Sequence, residues 1–478
     1  MNEKARDLAA AFEAGTIGRR ELVRRMAALG LTGAAAAAIM GAASTRAYAA
    51  DFDMMANKGT AIKLLLNKHP YADAMIADLE SFKTASGIDV KYDIFPEDVY
   101  FDKVTAALSS RSTEYDAFMT GAYQTWQYGP AGWCADLNEY IHDPKKTAPA
   151  YAWDDILPGL RSSTSWSGKP GDALGGPGAK QWCIPLGFEA NNLSYNKRIF
   201  DKVGVSVPKN LPEMIETAAK IQKDNGGYGV GVRGSRSWAT IHPGFLSGYT
   251  NYGARDFTQQ DGKLKAAMNS PEAKAFTALW VKMIQDSGPK EWATYTWYRV
   301  GQDLGAGQSG MIFDADILGY FQDGDPKNKE KGNLGFAAFA ANPQAKDVTA
   351  NVWVWSLAMS NFSKKKDAAW YLMQWATGAE HCMFGARKMD VVNPIRTSVW
   401  NDPEFKTKIS QYPGYLDQYT QTAPKAQIYF TPQPLFFNLT TDWAAALQRM
   451  VAREIPVNEG LDQLAANFDR QLKQSGLG

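Results

Sequence analysis

Short apolar segments alternate with segments of helical periodicity along this chain, and that order constrains the fold more than any other feature. Ala61 to Asn67, Gly87 to Phe95 and Tyr115 to Thr120 have the length and apolar content of strands. Between them, Tyr71 to Ala85 and Val99 to Leu108 carry apolar residues at helical spacing. Strands that alternate with helices pair in parallel, because each helix returns the chain to the same edge of the sheet. The order therefore predicts an α/β fold built on a doubly wound parallel sheet.

A second series of strands and helices begins near Gln181. Its predicted strands are Trp182 to Leu186, Asn191 to Tyr195, Tyr228 to Val232, Met311 to Phe313, Leu334 to Phe339 and Val352 to Met359. Its predicted helices are Leu211 to Lys223, Pro271 to Asp286, Lys364 to Ala376 and two in the tail from Trp443 to Leu472, divided near Pro456. Two such series indicate two lobes. Small ligands bind to such folds at the carboxyl ends of strands and between domains.

The first 49 residues have the pattern of a secretory signal peptide. The arginine pairs Arg19-Arg20 and Arg24-Arg25 precede a weakly apolar segment, Met26 to Ala43, and the small-x-small triplet Ala47-Tyr48-Ala49. We predict cleavage after Ala49 and a periplasmic mature protein. A membrane anchor is disfavoured, because the apolar segment is short and rich in alanine. The paired arginines resemble the twin-arginine export signal, with the general export route as the alternative.

The composition excludes some partners and suggests an aromatic cleft. The chain has 51 Lys and Arg against 50 Asp and Glu, so no basic excess points to nucleic acid or to a membrane surface. It also has 15 Trp and 21 Tyr. Because each buried Trp needs a partner for its N–H group, a core alone rarely demands so many. Many of these rings are therefore expected to line a surface or a cleft.

The sequence lacks the common motifs of catalysis and metal binding. It has no GxSxG, HExxH, Walker or dinucleotide-binding motif, and its four histidines are widely scattered. No cofactor and no metal are expected. The three cysteines, Cys134, Cys183 and Cys382, exclude a disulfide framework. A single Cys134–Cys183 bridge and buried free thiols both remain open. Asp314 and Asp316 could suggest a glycosidase, but Asp-x-Asp is common by chance.

The segment from Ile184 to Pro208 carries the most specific similarity to a known family. Ile184-Pro185-Leu186-Gly187-Phe188-Glu189 is followed by Tyr195-Asn196-Lys197, Phe200, Gly204 and Pro208. A weaker similarity precedes this segment at Asp136 to Ile141. Others follow it at Gly310 to Asp314, Ala368 to Trp375 and Asn393 to Ser398. Together these segments resemble the family 1 extracellular solute-binding proteins of ABC importers, which include the maltose-type binding proteins. The one departure is Leu211-Pro212-Glu213, where the family usually has Thr-Trp-x-Glu.

The resemblance implies a type II periplasmic-binding-protein fold with a ligand cleft and a hinge between two lobes. The first lobe would comprise residues 55–187 plus 353–394, and the second residues 189–350 plus 396–478. The chain would cross between them near Gly187 to Glu189, near Ala350 to Val352 and near Pro394. The implied partners are a small sugar or polyol and the transmembrane permease subunits of an ABC importer. The protein would act as a monomer and would bind no nucleic acid.

The candidate site residues follow from the chemistry of such a ligand. Its hydroxyl groups favour charged or planar hydrogen-bonding side chains, and its C–H faces favour flat aromatic rings. Side chains of these types at predicted strand ends and crossings are Asn67, His69, Glu97, Tyr123, Trp126, Glu189, Trp238, Asp316, Trp353 and Arg396. Several also have structural alternatives: His69 as a helix cap, Glu97 as an acid at a helix N-terminus and Arg396 as a partner in an ion pair. Trp353 and Trp355 share one face of a strand, so a joint core role is their alternative.

Other ligands and an enzymatic function remain as alternatives to a sugar or polyol. Glu97, Glu189 and Asp316 could form the acidic cluster that a polyamine requires. A protein of the same fold could instead bind a ferric ion or another small solute. A secreted carbohydrate-active enzyme is a further alternative. The mixture of amide, guanidinium and indole groups near the crossings favours a neutral polyhydroxylated ligand.

Overall fold

The computed structural model describes residues 52–478. The predicted signal peptide and its cleavage site lie outside these residues. The twelve strands are β1 (Ala61–Asn67), β2 (Asp89–Phe95), β3 (Ala117–Gly121), β4 (Ser165–Trp166), β5 (Lys180–Gln181), β6 (Ile184–Asn196), β7 (Tyr228–Gly231), β8 (Phe257–Gln260), β9 (Lys263–Ala266), β10 (Ser309–Ala315), β11 (Leu334–Ala337) and β12 (Val352–Met359). The prediction of two series of strands is confirmed, and β1 and β12 have the predicted bounds.

Helices cover the sheet and form most of the C-terminal third. They are α1 (Pro70–Ala77), α2 (Leu79–Ser86), α3 (Glu97–Ser109), α4 (Ala122–Tyr128), α5 (Asn138–Ile141), α6 (Pro158–Ser163), α7 (Lys197–Val203), α8 (Leu211–Asn225), α9 (Phe245–Asn251), α10 (Pro271–Ser287), α11 (Trp297–Gly305), α12 (Asp316–Gly324), α13 (Lys366–Ala376), α14 (Ala379–Lys388), α15 (Thr397–Trp400), α16 (Pro403–Ile409), α17 (Tyr415–Thr422), α18 (Phe436–Val451) and α19 (Val457–Gln474). Short 3-10 turns lie at Pro149–Tyr151, Trp153–Asp155, Trp238–Thr240, Trp292–Thr294 and Ala423–Lys425. Within residues 52–478, none of these helices has the length and apolar character needed to cross a membrane.

Local sequence signals fix the helix ends, as α8 shows. The side chain of Asn210 accepts a hydrogen bond from the Glu213 N–H at 3.1 Å, and Glu213 in turn accepts one from the Lys209 N–H at 2.9 Å. This reciprocal cap satisfies backbone donors that the first turn of a helix leaves unpaired. The helix ends at Gly226, whose φ of 77° is readily adopted only by glycine. The helix therefore extends two residues beyond its predicted end at Lys223.

The central sheet has eight strands and is mixed rather than wholly parallel. Its order is β2-β1-β3-β12-β6-β10-β7, and β11 pairs with β6 beside this path. Strands β1, β2 and β3 are parallel, and so are β10 and β7. Strand β12 is antiparallel to both β3 and β6, and β10 and β11 are antiparallel to β6. The predicted α/β class is confirmed, with antiparallel strands where the chain passes between the two series.

Strand β6 is one continuous strand of 13 residues where two were predicted. Its first part, Ile184 to Ala190, pairs with β12, and its second part, Asn191 to Asn196, pairs with β10 and β11. The predicted break lay between Leu186 and Asn191, where the family resemblance implies a crossing between lobes. The strand changes its partners without leaving the sheet. We call β1, β2, β3, β12 and the first part of β6 the first half of the sheet, and the remainder the second half.

All three cysteines are buried free thiols. Burial raises the pKa of Cys183 to about 12 and that of Cys382 to about 11, so these thiols are held in their neutral form. Of the two alternatives left open by the sequence, the structure has the free thiols.

Candidate ligand-binding cleft

A cavity of about 80 Å³ lies between the two halves of the sheet, beyond the end of β1. Its aromatic lining consists of Trp238, Trp297, Phe321, Trp353 and Trp355. Its charged and imidazole lining consists of Lys68, His69, Glu97, Glu189, Arg233 and His242. The cavity therefore combines flat apolar faces with hydrogen-bonding groups of both signs, which is the combination that a hydroxylated ligand requires.

Glu189 lines this cavity and is held in place by neighbouring side chains. It lies on β6 opposite Trp353 of β12, at 8% exposure. Its Oε1 accepts a hydrogen bond of 2.8 Å from the Trp355 indole N–H and lies 3.7 Å from His69 Nε2. His69 is itself held by its role as the N-terminal cap of α1 and by ring contacts with Tyr71 and Trp355. A fixed carboxylate with further acceptor capacity can bind ligand hydroxyls by charge-assisted hydrogen bonds.

Arg233 provides the buried positive charge of the cavity. Its Nε and Nη2 donate to the two carboxylate oxygens of Asp314 at 2.9 and 2.6 Å, and its Nη1 donates to the Ala239 carbonyl at 3.2 Å. Burial alone would lower the pKa of Arg233, but the nearby carboxylates, led by Asp314, outweigh burial and raise it. The fork of two hydrogen bonds fixes the guanidinium in one orientation.

Trp353 forms the aromatic wall of the first half of the sheet. Its ring stacks on Trp238 at 5.3 Å and on Tyr123 at 5.5 Å between centroids. The ring can approach the end of β3 because Gly121 lies there: a Cβ atom on Gly121 would be 2.4 Å from the indole. The Trp353 indole N–H is buried and has no hydrogen-bond partner within residues 52–478.

His242 adds a neutral imidazole to the second half of the lining. Burial, followed by the charge of Arg233, lowers its pKa well below the ordinary range. The ring lies 5.6 Å from Trp238 and 5.3 Å from Trp353, so it packs within the same aromatic group. At neutral pH this side chain adds no charge to the cavity.

Five of the ten predicted site residues line the cavity, and five do not. Those at the cavity are His69, Glu97, Glu189, Trp238 and Trp353. The structure places Asn67, Tyr123, Trp126, Asp316 and Arg396 elsewhere. For Asn67, the last residue of β1, the reason is position within the sheet: its side chain is fully buried, and the lining begins with the next residue, Lys68.

Tyr123 and Trp126 lie behind Trp353 rather than in the cavity. The Tyr123 hydroxyl donates to the Val352 carbonyl at 3.1 Å, and its ring stacks on Phe436 at 4.5 Å. Trp126 packs edge-on against Tyr123 and Phe436 and is 1% exposed. Both rings support the wall that Trp353 presents, so they belong to the core.

Arg396 is a buried structural residue away from the cavity. Its Nε donates to the Thr377 carbonyl at 2.6 Å and its Nη1 to the Ala152 carbonyl at 3.1 Å. Its guanidinium also lies 3.3 Å from Asp155 and 5.1 Å from the centre of the Tyr151 ring. These contacts fix the start of α15, and Arg396 does not line the cavity.

Asp316 joins three segments next to the cleft instead of lining it. Its Oδ1 accepts from the Ala190 N–H at 3.1 Å and from Asn393 Nδ2 at 3.0 Å, and its Oδ2 accepts from Gln418 Nε2 at 3.2 Å. Ala190 is the residue of β6 at which pairing passes from β12 to β10. Burial raises the pKa of Asp316 to about 7, and the donors from Ala190 and Asn393 offset this only in part.

Other lining residues escaped the sequence-based selection, among them two polar and two aromatic ones. Arg233 and His242 follow β7 without any motif, and Trp297 and Trp355 were not singled out as candidates. The position of Arg233, two residues after the end of a strand, was the one usable signal, because such positions face ligands in α/β sheets. The strand alternation that linked Trp355 to Trp353 was also correct, since both line the cavity.

Comparison with known proteins assigns the chain to a family. The sequence pattern of the bacterial extracellular solute-binding proteins matches residues 66–381, more than half of the chain. The chain belongs to this family. The prediction of a solute-binding protein of the ABC-importer type is thereby confirmed.

Three relatives of this solute-binding protein are informative. The erythritol/L-threitol-binding protein of Mycolicibacterium smegmatis is 39% identical over 450 residues, which cover 90% of this chain and 92% of the relative. The mannitol-binding protein of Pseudomonas aeruginosa is 25% identical over 311 residues, covering 64% and 66%. An ABC transporter solute-binding protein from Agrobacterium vitis S4, solved with bound D-mannitol, superposes with a TM-score of 0.71. It is 24% identical, and the match covers 87% of this chain and 99% of that one. The type II periplasmic-binding-protein fold is confirmed.

Replacing Asp316 by asparagine should flatten the pH dependence of stability of this solute-binding protein. Because the folded-state pKa of about 7 exceeds that of an unfolded aspartate, the folded state binds the proton more tightly. The resulting stabilisation is complete in acid and is lost as the pH rises through 7. Between roughly pH 5.5 and 7.5, the ionisation of Asp316 should therefore lower the free energy of unfolding by about 2 kcal/mol. Asparagine retains the acceptor for Ala190 and Asn393 and can donate to Gln418 Oε1, which has no partner within the described residues, once that amide rotates.

Urea denaturation of the two proteins at a series of pH values measures this difference. Asp417, an exposed acid on α17, provides the control as Asp417→Asn, which should keep the pH profile of the unmodified protein. Parallel profiles for Asp316→Asn and the unmodified protein would contradict the assignment of the proton to Asp316.

Proposed function

We propose that the protein binds a short, uncharged polyol in this cavity and delivers it to the permease of an ABC importer. The observation that carries this proposal is an aromatic cavity whose hydrogen-bonding groups have both signs. Lys68, Arg233, Glu97 and Glu189 all line it, and the two cations already have carboxylate partners, Asp73 for Lys68 and Asp314 for Arg233. A neutral ligand with many hydroxyl groups can use donors and acceptors of both signs without leaving a buried charge unpaired.

The size of the cavity and the relatives support a small ligand. A volume of about 80 Å³ is several times the roughly 10–15 Å³ that one water needs, and so small a space favours a polyol of few carbons over a disaccharide. The most extensively matched of the three relatives described above is named for binding erythritol and L-threitol, and another for binding mannitol. All of these compounds are acyclic polyols.

We infer that the ligand is captured by closure of two lobes, residues 55–187 plus 353–394 and residues 189–350 plus 396–478. The change of partners along β6 at Ala190 and Asn191 supports the first boundary. Asn351 supports the second boundary, near Ala350 to Val352. Its amide donates to the His242 carbonyl at 2.7 Å, and its Oδ1 accepts from the Tyr429 N–H at 3.0 Å. Asn393 supports the third through its contacts with the Phe188 carbonyl and Asp316. A ligand that contacts both lobes stabilises the closed state by its differential affinity.

The periplasm is the proposed location, with export by the signal peptide of residues 1–49 and cleavage after Ala49. The family is extracellular, and the position of the charged, apolar and small residues in that segment supports an exported precursor. The mature protein is proposed to act as a monomer without catalytic activity.

The lining disfavours a polyamine and a ferric ion. Of the three acids that a polyamine site would use, Asp316 lies outside the cavity, and Glu189 already accepts the Trp355 indole N–H. For a ferric ion, no tyrosine lines the cavity, and no group of three or more His, Cys, Asp or Glu side chains among residues 52–478 is arranged to hold a metal. A neutral polyol therefore fits the described lining better than either cation.

A ligand screen on the mature chain tests the proposed function. We expect erythritol to raise the melting temperature, because a ligand that binds only the folded state stabilises it by about 2.7 kcal/mol at a hundredfold excess over Kd. Spermidine, ferric citrate and an amino-acid mixture should leave the melting temperature unchanged. A shift with spermidine or ferric citrate alone would contradict the assignment to polyols, and so would no shift with any polyol.

A further inference from the structure

A second compartment of about 410 Å³ adjoins the ligand cavity. Phe101, Asp102, Ser235, Ser237, Thr296 and Tyr298 line this outer compartment alone. Four residues line both spaces: Glu97, Arg233, Trp238 and Trp297. The boundary between a small inner cavity and a larger outer one is therefore built from these four side chains.

The Trp238 ring is the part of this boundary that contacts the linings of both spaces. On the inner side it stacks on Trp353 at an angle of 30° and on His242 at 24°. On the outer side it meets Phe101 edge-on at 6.2 Å between centroids. Phe437 packs against it edge-on at 5.2 Å. The indole therefore contacts aromatic residues from the linings of both spaces.

The backbone that carries Trp238 is held in a fixed position. Trp238 opens the 3-10 turn Trp238–Thr240, and the Ser237 hydroxyl caps this turn by accepting the Ala239 N–H at 3.2 Å. The Thr240 hydroxyl donates to the Ser235 carbonyl at 2.6 Å, and Arg233 donates to the Ala239 carbonyl. These hydrogen bonds fix the turn to the segment before it. The indole can therefore move aside only if they break or if the side chain adopts another rotamer.

We propose that Trp238 sets the upper limit on the length of the ligand by separating the inner cavity from the outer compartment. A polyol that fits the inner cavity is enclosed by the indole. A longer chain has to displace the indole and break its stacking with Trp353 and His242. The proposal rests on the proposed function, since it assigns the size selectivity of the same site to one side chain.

Affinities for polyols of increasing length test this role. Isothermal titration calorimetry with erythritol, D-mannitol and maltitol would be performed on the unmodified protein and on Trp238→Ala. The unmodified protein should bind erythritol most tightly. In Trp238→Ala, erythritol should bind roughly tenfold more weakly for lack of the stacked ring, while maltitol should gain at least tenfold because the two spaces merge. The ratio of the two affinities is the informative quantity.

Two further variants keep the test decisive. Trp153→Ala is the matched control: Trp153 is also half-buried and also opens a 3-10 turn, but it lines neither compartment, so the ratio should not change. Trp238→Phe should shift the ratio in the same direction by a smaller factor, and it carries the test if Trp238→Ala does not fold. An equal loss for all three ligands would overturn the role of Trp238 while leaving the proposed function intact. No binding of any polyol by the unmodified protein would instead refute the proposed function.

Discussion

Replacing Arg233 by alanine is expected to lower the free energy of unfolding by about 3–5 kcal/mol, because it leaves a buried carboxylate without its counter-ion. Asp314 is 1% exposed, and both of its oxygens accept from Arg233. Apart from these, its Oδ1 accepts the Ala315 N–H at 2.7 Å, which cannot compensate a full charge. Urea denaturation followed by circular dichroism measures the loss.

An exposed ion pair and a double variant serve as controls for this prediction. Lys282 and Asp286 form a pair one turn apart on α10, with side chains 61% and 39% exposed, so Lys282→Ala should cost less than about 1 kcal/mol. Adding Asp314→Leu to Arg233→Ala should recover part of the lost stability, since the uncompensated charge is removed. A loss below about 1 kcal/mol for Arg233→Ala would show that Asp314 does not depend on this arginine.

Replacing Glu189 by glutamine is expected to weaken polyol binding by about 10- to 100-fold while leaving the fold intact. A hydrogen bond to a charged group contributes about 1.5–3 kcal/mol, and glutamine lacks the charge. The Trp355 indole donates to Glu189 Oε1, and the amide oxygen of glutamine can accept the same hydrogen bond. The loss should therefore appear in the affinity for erythritol, measured by calorimetry, and not in the melting temperature of the free protein.

Glu213→Gln is the matched control for Glu189→Gln. Glu213 is exposed in the first turn of α8, where it accepts the Lys209 N–H, and it does not line the cavity. Its amide should leave the affinity unchanged. An unchanged affinity in Glu189→Gln as well would remove this carboxylate from the binding site, whereas a fall in melting temperature would assign it a structural role.

The fold could be predicted from the sequence because periodicity determines most of it. Each strand of the first series pairs as the alternation of strands and helices indicates, and β12 has the predicted bounds. The error at β6 has a physical cause. Gly187 weakens a strand pattern, but it lies where a Cβ atom would be 2.2 Å from the Tyr71 ring. That packing explains the glycine within a continuous strand, and it is invisible in the sequence.

The candidate site was only partly predictable, because residue type and strand position do not determine where a side chain points. Glu189 and Trp353 were expected at a cleft, and both line the cavity. Arg396 was expected there too, yet the Thr377 and Ala152 carbonyls bind its guanidinium in the core. Arg233 lines the cavity instead, but no motif distinguishes it in the sequence. The difference between the two arginines lies in carbonyl and carboxylate partners that are far apart in the sequence.

The insertion of β12 between β3 and β6 has a consequence for how the chain folds. Within the described residues, β12 is the strand that joins β3 to β6, and it lies more than 150 residues after Asn196, the end of β6. Closing so long a loop costs chain entropy before any pairing is gained, and folding slows as the separation of contacting residues grows. Strand β3 therefore lacks its partner on one side until Val352–Met359 has been synthesised. The same late strand couples both halves, so the two are expected to unfold together rather than one after the other.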